Sequence, residues 1–505
     1  MAAPSPPLAS PVSRDYGELP LVKKIFSFPT MCLFLLAGVI FSYAPRGIAE
    51  SDIWWHLRNA KEIVVHHSIP NMDTYSWGAT GSPWLDHEWL SEVIYYLGFR
   101  ALGLRGVLAT YFIVLVFIYV GVYYRCCHAG ADRKDAIIAT LGAICLGGVS
   151  LAPRMLLFGW LCMIALLLIL DQFEKNQKIV WLLPPLFCLW INLHGSWIFG
   201  MVVLTATVIS GLLTAEWGLV VARRWTSSEL RTLLLVVAAS SAALFLNPFG
   251  YKLVWYPFDM GLRQQSVLKY LDEWQPVDFS SWNGKLALAL IFCVIAAVLF
   301  SRRKWRLDAV LLTSFALCSA LTHVRFLFFA GLIVVPWLAR YVHLLGPYEP
   351  AKDKPLLNVV MICLMVAGMI VLFPSEASLR RTVSATYPNA ALNFMQQHGM
   401  TEKVFNEYKF GGYMDWYTPQ IKPFIDGRAD IFVYNGVFDD FLRATSLRNT
   451  FEILDKYSVR YVLYEPGQPF TYLLEHSPSW RQIYRDNAAV VFERAPQGSD
   501  RMRGQ

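Results

Sequence analysis

The sequence predicts a polytopic α-helical membrane protein of about eleven transmembrane helices with a C-terminal extracytoplasmic α/β domain. Three observations predict it. The 505 residues are 55% hydrophobic but only 16% charged, against about 25% charged in soluble domains, and the mean hydropathy is +0.40. Apolar runs of membrane-crossing length recur along most of the chain. The basic residues gather in every second short loop, where they orient helices in a bilayer. The formal net charge of +7 is therefore spent on topology, and no nucleic-acid partner is expected.

In chain order, residues 1–24 are a cytoplasmic arm ending in Lys23-Lys24, with Ala2 to Ser13 expected to be disordered. The apolar stretch that follows lacks an A-x-A cleavage site and reads as a retained first helix. Spans then fall near 25–45, 105–124, 136–153, 155–171, 179–194, 197–220, 231–247, 285–301, 307–322, 325–343 and 356–374. The basic loops between them, from Arg125, Arg133 and Lys134 to Arg340, Lys352 and Lys354, place the N-terminus inside and the C-terminus outside. A module over 25–374 thus carries two large outer loops, 46–104 and 248–284, and is followed by the outward segment 375–505. None of the nine cysteines lies in an outward segment, which excludes a disulfide framework there. In the tail, residues 388–400 read as a helix, and the runs at 403–406, 423–426, 459–464 and 488–492 read as short buried strands. Gly411-Gly412 and Asp426-Gly427-Arg428 read as turns.

The first outer loop concentrates chemistry. Asp52, Glu62, Asp73, Asp86, Glu88 and Glu92 are interleaved with His56, His66, His67 and His87 and with five tryptophans, Trp54, Trp55, Trp77, Trp84 and Trp89. Ser51 to Val65 and Glu88 to Phe99 suit amphipathic helices lying along the interface. Asp52 and His56 share a face at i, i+4, and Asp86-His87-Glu88 would point into a cleft at the start of the second helix. Interfacial tryptophans and solvating acids explain much of this pattern without catalysis, and that plain reading suits Glu62 and Glu92. Acids beside a tryptophan-rich apolar surface acquire shifted pKa values and can accept protons, which suits Asp52 and one of Asp86 and Glu88.

Asp52-Ile53-Trp54-Trp55-His56-Leu57, then Ile69 to Ser76, then Trp84-Leu85-Asp86-His87-Glu88-Trp89-Leu90 resemble the first outer loop of GT-C glycosyltransferases. The likeness is to bacterial members related to the family-39 and protein O-mannosyltransferase group. Asn192-Leu193-His194-Gly195 and the tail segments Gly411-Gly412-Tyr413 and Phe424 to Arg428 fit the same set. The resemblance implies a multi-pass enzyme of the bacterial cytoplasmic membrane. Such an enzyme takes a sugar from a polyprenyl-phosphate donor and passes it, with inversion, to a glycan, lipid or protein acceptor outside. It implies Asp52 as general base, either Glu88 or Asp86 as second acid, and His56, His87, Trp55 and Trp89 around the substrate. A divalent cation in such a site would be held by Asp52, Asp86 and Glu88, whose hard oxygens suit Mg²⁺ or Mn²⁺, although no tight DxD is present.

Arg154, His194, His323 and Arg325 fall at outer helix ends, against the charge rule. A donor phosphate would explain them, since arginine offers a forked donor array; pairing with loop acids or helix C-terminal carbonyls is the alternative. Asp426, Arg428 and Asp430 read as a turn held by an Asp–Arg pair in preference to an acceptor-binding edge. A transporter or flippase of lipid-linked sugars ranks second, because mid-span positions are nearly free of charge. A non-catalytic envelope protein with a glycan- or partner-binding tail ranks third.

Overall fold

The computed structural model describes residues 25–496 except 45, 49, 264–268 and 302; the N-terminal arm lies outside the described residues. The chain runs α1 (Phe28–Tyr43), α2 (Ile53–His66), α3 (Trp89–Leu102), α4 (Leu104–His128), α5 (Arg133–Gly147), α6 (Leu156–Asp171), α7 (Leu183–Leu193) and α8 (Trp197–Ser210). It continues through α9 (Ser227–Ala243), α10 (Tyr251–Arg263), α11 (Trp282–Phe300), α12 (Leu307–Thr322), α13 (Leu327–Ala339) and α14 (Pro355–Leu372). Each predicted span holds a helix. Of these, α4, α11 and α14 are long and apolar enough to cross a membrane, and most of the other apolar helices are 10–17 residues long.

Local chemistry sets several helix starts. Ser27 accepts from Thr30 N–H at the start of α1, Asp132 accepts from Lys134 N–H before α5, and Thr226 and Glu229 form a reciprocal capping box on α9. The expected span 197–220 is shorter than read: α8 stops at Ser210, and β1 (Ala215–Trp217) and β2 (Val220–Ala222) follow. With β3 (Trp305–Arg306), they make a small sheet in which β1 pairs antiparallel and β3 parallel to β2. Gly211 and the charged Glu216 break the apolar run, which is why the helix cannot continue.

The segment after α14 folds as α15 (Glu376–Thr386), α16 (Asn389–Gln397), β4 (Val404–Asn406), α17 (Tyr408–Tyr417), α18 (Ala429–Tyr434), α19 (Val437–Thr445), α20 (Thr450–Lys456), β5 (Tyr461–Tyr464), α21 (Pro469–Glu475), β6 (Trp480–Arg485) and β7 (Val490–Arg494). Its sheet has the order β4-β5-β7-β6, with β4 parallel to β5 and the other pairs antiparallel. β4, β5 and β7 occupy predicted strands, whereas β6 carried no apolar run and was not foreseen.

Two sequence readings fail here for physical reasons. Pro423 to Asp426 is not a strand: the Asn406 side chain accepts from Phe424 N–H at 2.7 Å and donates to Ile425 O at 2.9 Å, so one side chain satisfies the backbone that a neighbouring strand would have paired. Gly411-Gly412 is not a turn but lies inside α17, where a Cβ on Gly411 would come within 2.2 Å of Ile425 O. Glycine there lets the helix press against the 425–427 segment.

The two helices read in the first outer loop form as α2 and α3, and the loop is built into the tail. Trp54 on α2 is fully buried against Tyr387, Tyr413 and Tyr417. Trp77 donates from its indole to Val404 O at 2.9 Å and from its backbone N–H to Pro423 O at 2.9 Å. Arg428 is completely buried between the two segments. Its guanidinium reaches Asp73 at 2.7 Å and Asp426 at 2.5 Å, and it lies over the rings of Tyr75 and Trp84. The Asp–Arg turn is thus present, and its arginine is also the staple to the first loop. Arg428→Met should cost about 3–5 kcal/mol, because it leaves buried carboxylates without their cation. A denaturant or thermal midpoint unchanged from wild type would contradict this.

Candidate active site

One cavity of about 1370 Å³ opens where the first outer loop, the Arg154 loop, the second outer loop and the Asp426-Gly427-Arg428 turn meet. Asp52 stands on its wall at the N-terminus of α2, and its carboxylate is not used to cap that helix. Ser51 Oγ donates to Asp52 Oδ1 at 3.4 Å. Across from it lies Gly427, where a Cβ would fall 2.1 Å from Asp52 Oδ1 and 2.7 Å from Trp55 Nε1. Burial, then the nearby Glu50 carboxylate, push Asp52 up to about 7, with His56 and Arg154 pulling the other way.

His56, one turn along α2, stacks on Trp55 with ring centroids 3.6 Å apart. Its Nδ1 lies 2.7 Å from Glu92 Oε1 and its Nε2 3.7 Å from Glu88 Oε2. Burial lowers its pKa. Glu88 is ringed by imidazoles: His194 Nε2 is 3.0 Å and His87 Nε2 3.6 Å from Oε1. His194 Nδ1 accepts from Ser196 N–H at 2.9 Å, so its proton is on Nε2 and is donated to Glu88. Burial opposes ionisation of Glu88, but His87 and the His194 hydrogen bond more than offset it and hold the carboxyl below its ordinary range. His87 itself is pushed down to about 4, chiefly by burial.

Asp86 has a different setting. Its Oδ2 accepts from Asn59 Nδ2 at 2.6 Å, and the same nitrogen donates to Glu92 Oε2 at 2.6 Å. Burial raises both carboxyls well above their ordinary values. Glu92, read from sequence as a solvated surface acid, is fully buried. Its position one turn after Glu88 and the Asn59 position three residues after His56 were the available signals, since each puts a polar group on the same helix face as a residue already singled out. Trp89 does not line the cavity; its indole donates to Asn192 Oδ1 at 3.0 Å and ties α3 to α7.

The expected carboxylate set for Mg²⁺ or Mn²⁺ does not fit. Asp52 faces Gly427, Asp86 is engaged by Asn59, and Glu88 is surrounded by imidazoles rather than by the other two acids. Among the described residues, no group of three or more His, Cys, Asp or Glu side chains is arranged to hold a metal ion.

The far wall is cationic. Arg154, between α5 and α6, donates from Nε to Glu50 Oε2 at 2.6 Å and from Nη1 to Glu273. Arg325, just before α13, reaches Glu273 Oε1 at 3.0 Å and lies over the Trp274 ring at 4.4 Å. Arg325 Nε has no hydrogen-bond partner among the described residues. His323 is close by, with Nδ1 2.6 Å from Trp274 O. Of the four cations singled out, Arg154, Arg325 and His323 therefore gather here, and His194 joins Glu88 instead. Glu50, Glu273 and Gly427 line the cavity without having been foreseen, as does Asp430, for which the turn reading had been preferred to an acceptor-binding edge. Asp430 is pushed up to about 7 by burial, against the pull of Arg428.

No family model and no curated protein matches the sequence. Solved structures do match. A crystal structure of the Archaeoglobus fulgidus oligosaccharyltransferase, tethered to an acceptor peptide containing the NVT sequon, superposes with a TM-score of 0.51 at 12% identity, covering 86% of this chain and 68% of that one. The archaeal oligosaccharyltransferase AglB from the same organism, in complex with an inhibitory peptide and a dolichol-phosphate, gives 0.50 at 11% identity over 93% and 74%. The chain shares the fold of these archaeal oligosaccharyltransferase structures. At these identities the likeness establishes architecture alone; the chemistry rests on this chain's own residues. Asn59→Leu should lower the unfolding midpoint measurably, by about 1–3 kcal/mol for each buried carboxyl left without its donor. A variant as stable as wild type would show that the Asp86–Glu92 pair is held by something else.

Proposed function

We propose that this chain is a membrane glycosyltransferase that passes a sugar from a polyprenyl-phosphate donor to an acceptor on the extracytoplasmic side of the bacterial cytoplasmic membrane, with Asp52 as general base. The observation that carries this reading is the pairing, within one cavity, of a carboxylate shifted to about 7 with two arginines. The archaeal neighbours were captured with an acceptor peptide and with a dolichol-phosphate, which supports a lipid phosphate and an acceptor meeting in this fold.

The acceptor hydroxyl lies against Asp52, loses its proton to the carboxylate, and its oxygen attacks the anomeric carbon. The bond from that carbon to the phosphate oxygen breaks, and the electron pair leaves with the lipid phosphate. Arg154 and Arg325 stabilise that charge where it accumulates. Attack from the face opposite the phosphate inverts the anomeric centre. His56 is kept neutral by burial and oriented by Glu92, so it braces the base without competing for the acceptor's proton. Glu88, ionised and held by His194, takes the place of the second acid in binding sugar or acceptor hydroxyls. No step runs through a metal, because the carboxylates that would hold one do not converge.

Transfer of labelled sugar from polyprenyl-phosphate donors, in membranes carrying normally inserted protein, tests the reading. Asp52→Asn is expected to lose at least about 10²-fold in turnover, the usual contribution of a positioned general base; undiminished turnover would remove Asp52 from the chemistry. The base must be ionised to act. Turnover at limiting substrate should therefore rise about tenfold per pH unit up to about 7 and level off above it. A flat profile from pH 5 to 8 would contradict the assignment. Gly427→Ala introduces a methyl against Asp52 and should reduce turnover while the protein stays folded.

A further inference from the structure

The cationic wall already contains an anion. Glu273 bridges Arg154 and Arg325, one oxygen to each guanidinium, while Glu50 holds Arg154 from its other side. Two carboxylates against two guanidiniums leave this half-buried cluster with no net formal charge. Resting on the proposed reaction, we infer that Glu273 occupies the seat of the donor's phosphate and is exchanged for it when the donor binds, which makes Glu273 a specificity-determining residue.

Three features of the site support the exchange. A carboxylate bridging two arginines presents its oxygens where two phosphate oxygens would lie, since both anions take the same forked donation. Arg325 keeps its Nε unpaired among the described residues, so the site has one donor more than a carboxylate uses, and phosphate has a further oxygen to accept it. Glu273 also lies in a single turn, Asp272–Trp274, whose backbone is anchored independently: His323 Nδ1 is 2.6 Å from Trp274 O and Val324 N–H donates to Gln275 O at 3.0 Å. Rotation of one side chain therefore vacates the seat without dismantling the loop.

Charge makes the exchange selective. If Glu273 left alone, Arg325 would remain buried without its counter-ion, which is costly. If an anion arrives as it leaves, neutrality is kept. An uncharged prenyl alcohol has the same chain but cannot displace Glu273, so the site discriminates by charge before any sugar is recognised.

Binding of farnesyl phosphate and of farnesol to the purified full-length protein in lipid nanodiscs tests this, using wild type, Glu273→Gln and Arg325→Gln. Glu273→Gln is expected to bind farnesyl phosphate at least tenfold more tightly than wild type, with farnesol unchanged, because the internal competitor has lost its charge. Arg325→Gln is expected to lose farnesyl phosphate binding. Equal or weaker binding by Glu273→Gln, alongside loss in Arg325→Gln, would overturn the exchange and leave the phosphate site standing. Farnesyl phosphate binding unaffected by either substitution would overturn the phosphate site itself, and the exchange with it. If Glu273→Gln is not recovered folded, Glu273→Asp carries the test: its shorter arm holds the arginines less well, so tighter binding is expected and equal or weaker binding overturns the proposal.

Discussion

The candidate site depends on one buried cation. Arg428 comes from the tail, yet its guanidinium is paired both with Asp73 of the first outer loop and with its own neighbour Asp426. A guanidinium sealed from water is tolerated only where carboxylates balance its charge and rings cover its faces; Asp73 and Asp426 supply the first, Tyr75 and Trp84 the second. The residue before it, Gly427, is therefore placed against Asp52 by the same contact. The wall of the cavity and the staple between the two segments are consecutive residues of one turn.

Around that turn the ionisable groups are sorted by surroundings rather than by type. Glu88 stays ionised with His194 donating to it and two further imidazoles close by, while Asp86 and Glu92 are driven toward the neutral form and share one amide donor. Asp52 lies between these extremes. A carboxylate poised near neutrality, an ionised one beside it, and a balanced cluster of arginines and glutamates opposite give one cavity three distinct electrostatic regions.

Much of this was legible in the sequence wherever local patterning decides the outcome. The apolar spans mark helices, the i, i+4 spacing of Asp52 and His56 puts them on one face, and the misplaced cations Arg154 and Arg325 do face the cavity. Pairings between distant segments were not legible. Nothing local ties Glu273 to Arg154 or Asp73 to Arg428, and Glu92 resembles any solvated helix acid until α2 and α3 are packed together. The Pro423 to Asp426 run has strand composition, yet the Asn406 amide replaces the strand that would have paired with it. Gly411-Gly412 reads as a turn because close helix packing and a turn ask for the same residue.

The hydrogen bond from Trp77 to Val404 joins positions 327 residues apart. At ribosomal rates of about 5–20 residues per second, the first outer loop is made tens of seconds before its partners in the tail exist. Asp52 and its tryptophans are delivered early, with Gly427 and Arg428 still unmade. The cavity is consequently one of the last features of the molecule to form, and a nascent or truncated chain that has already inserted its helices still lacks a finished wall around its carboxylate.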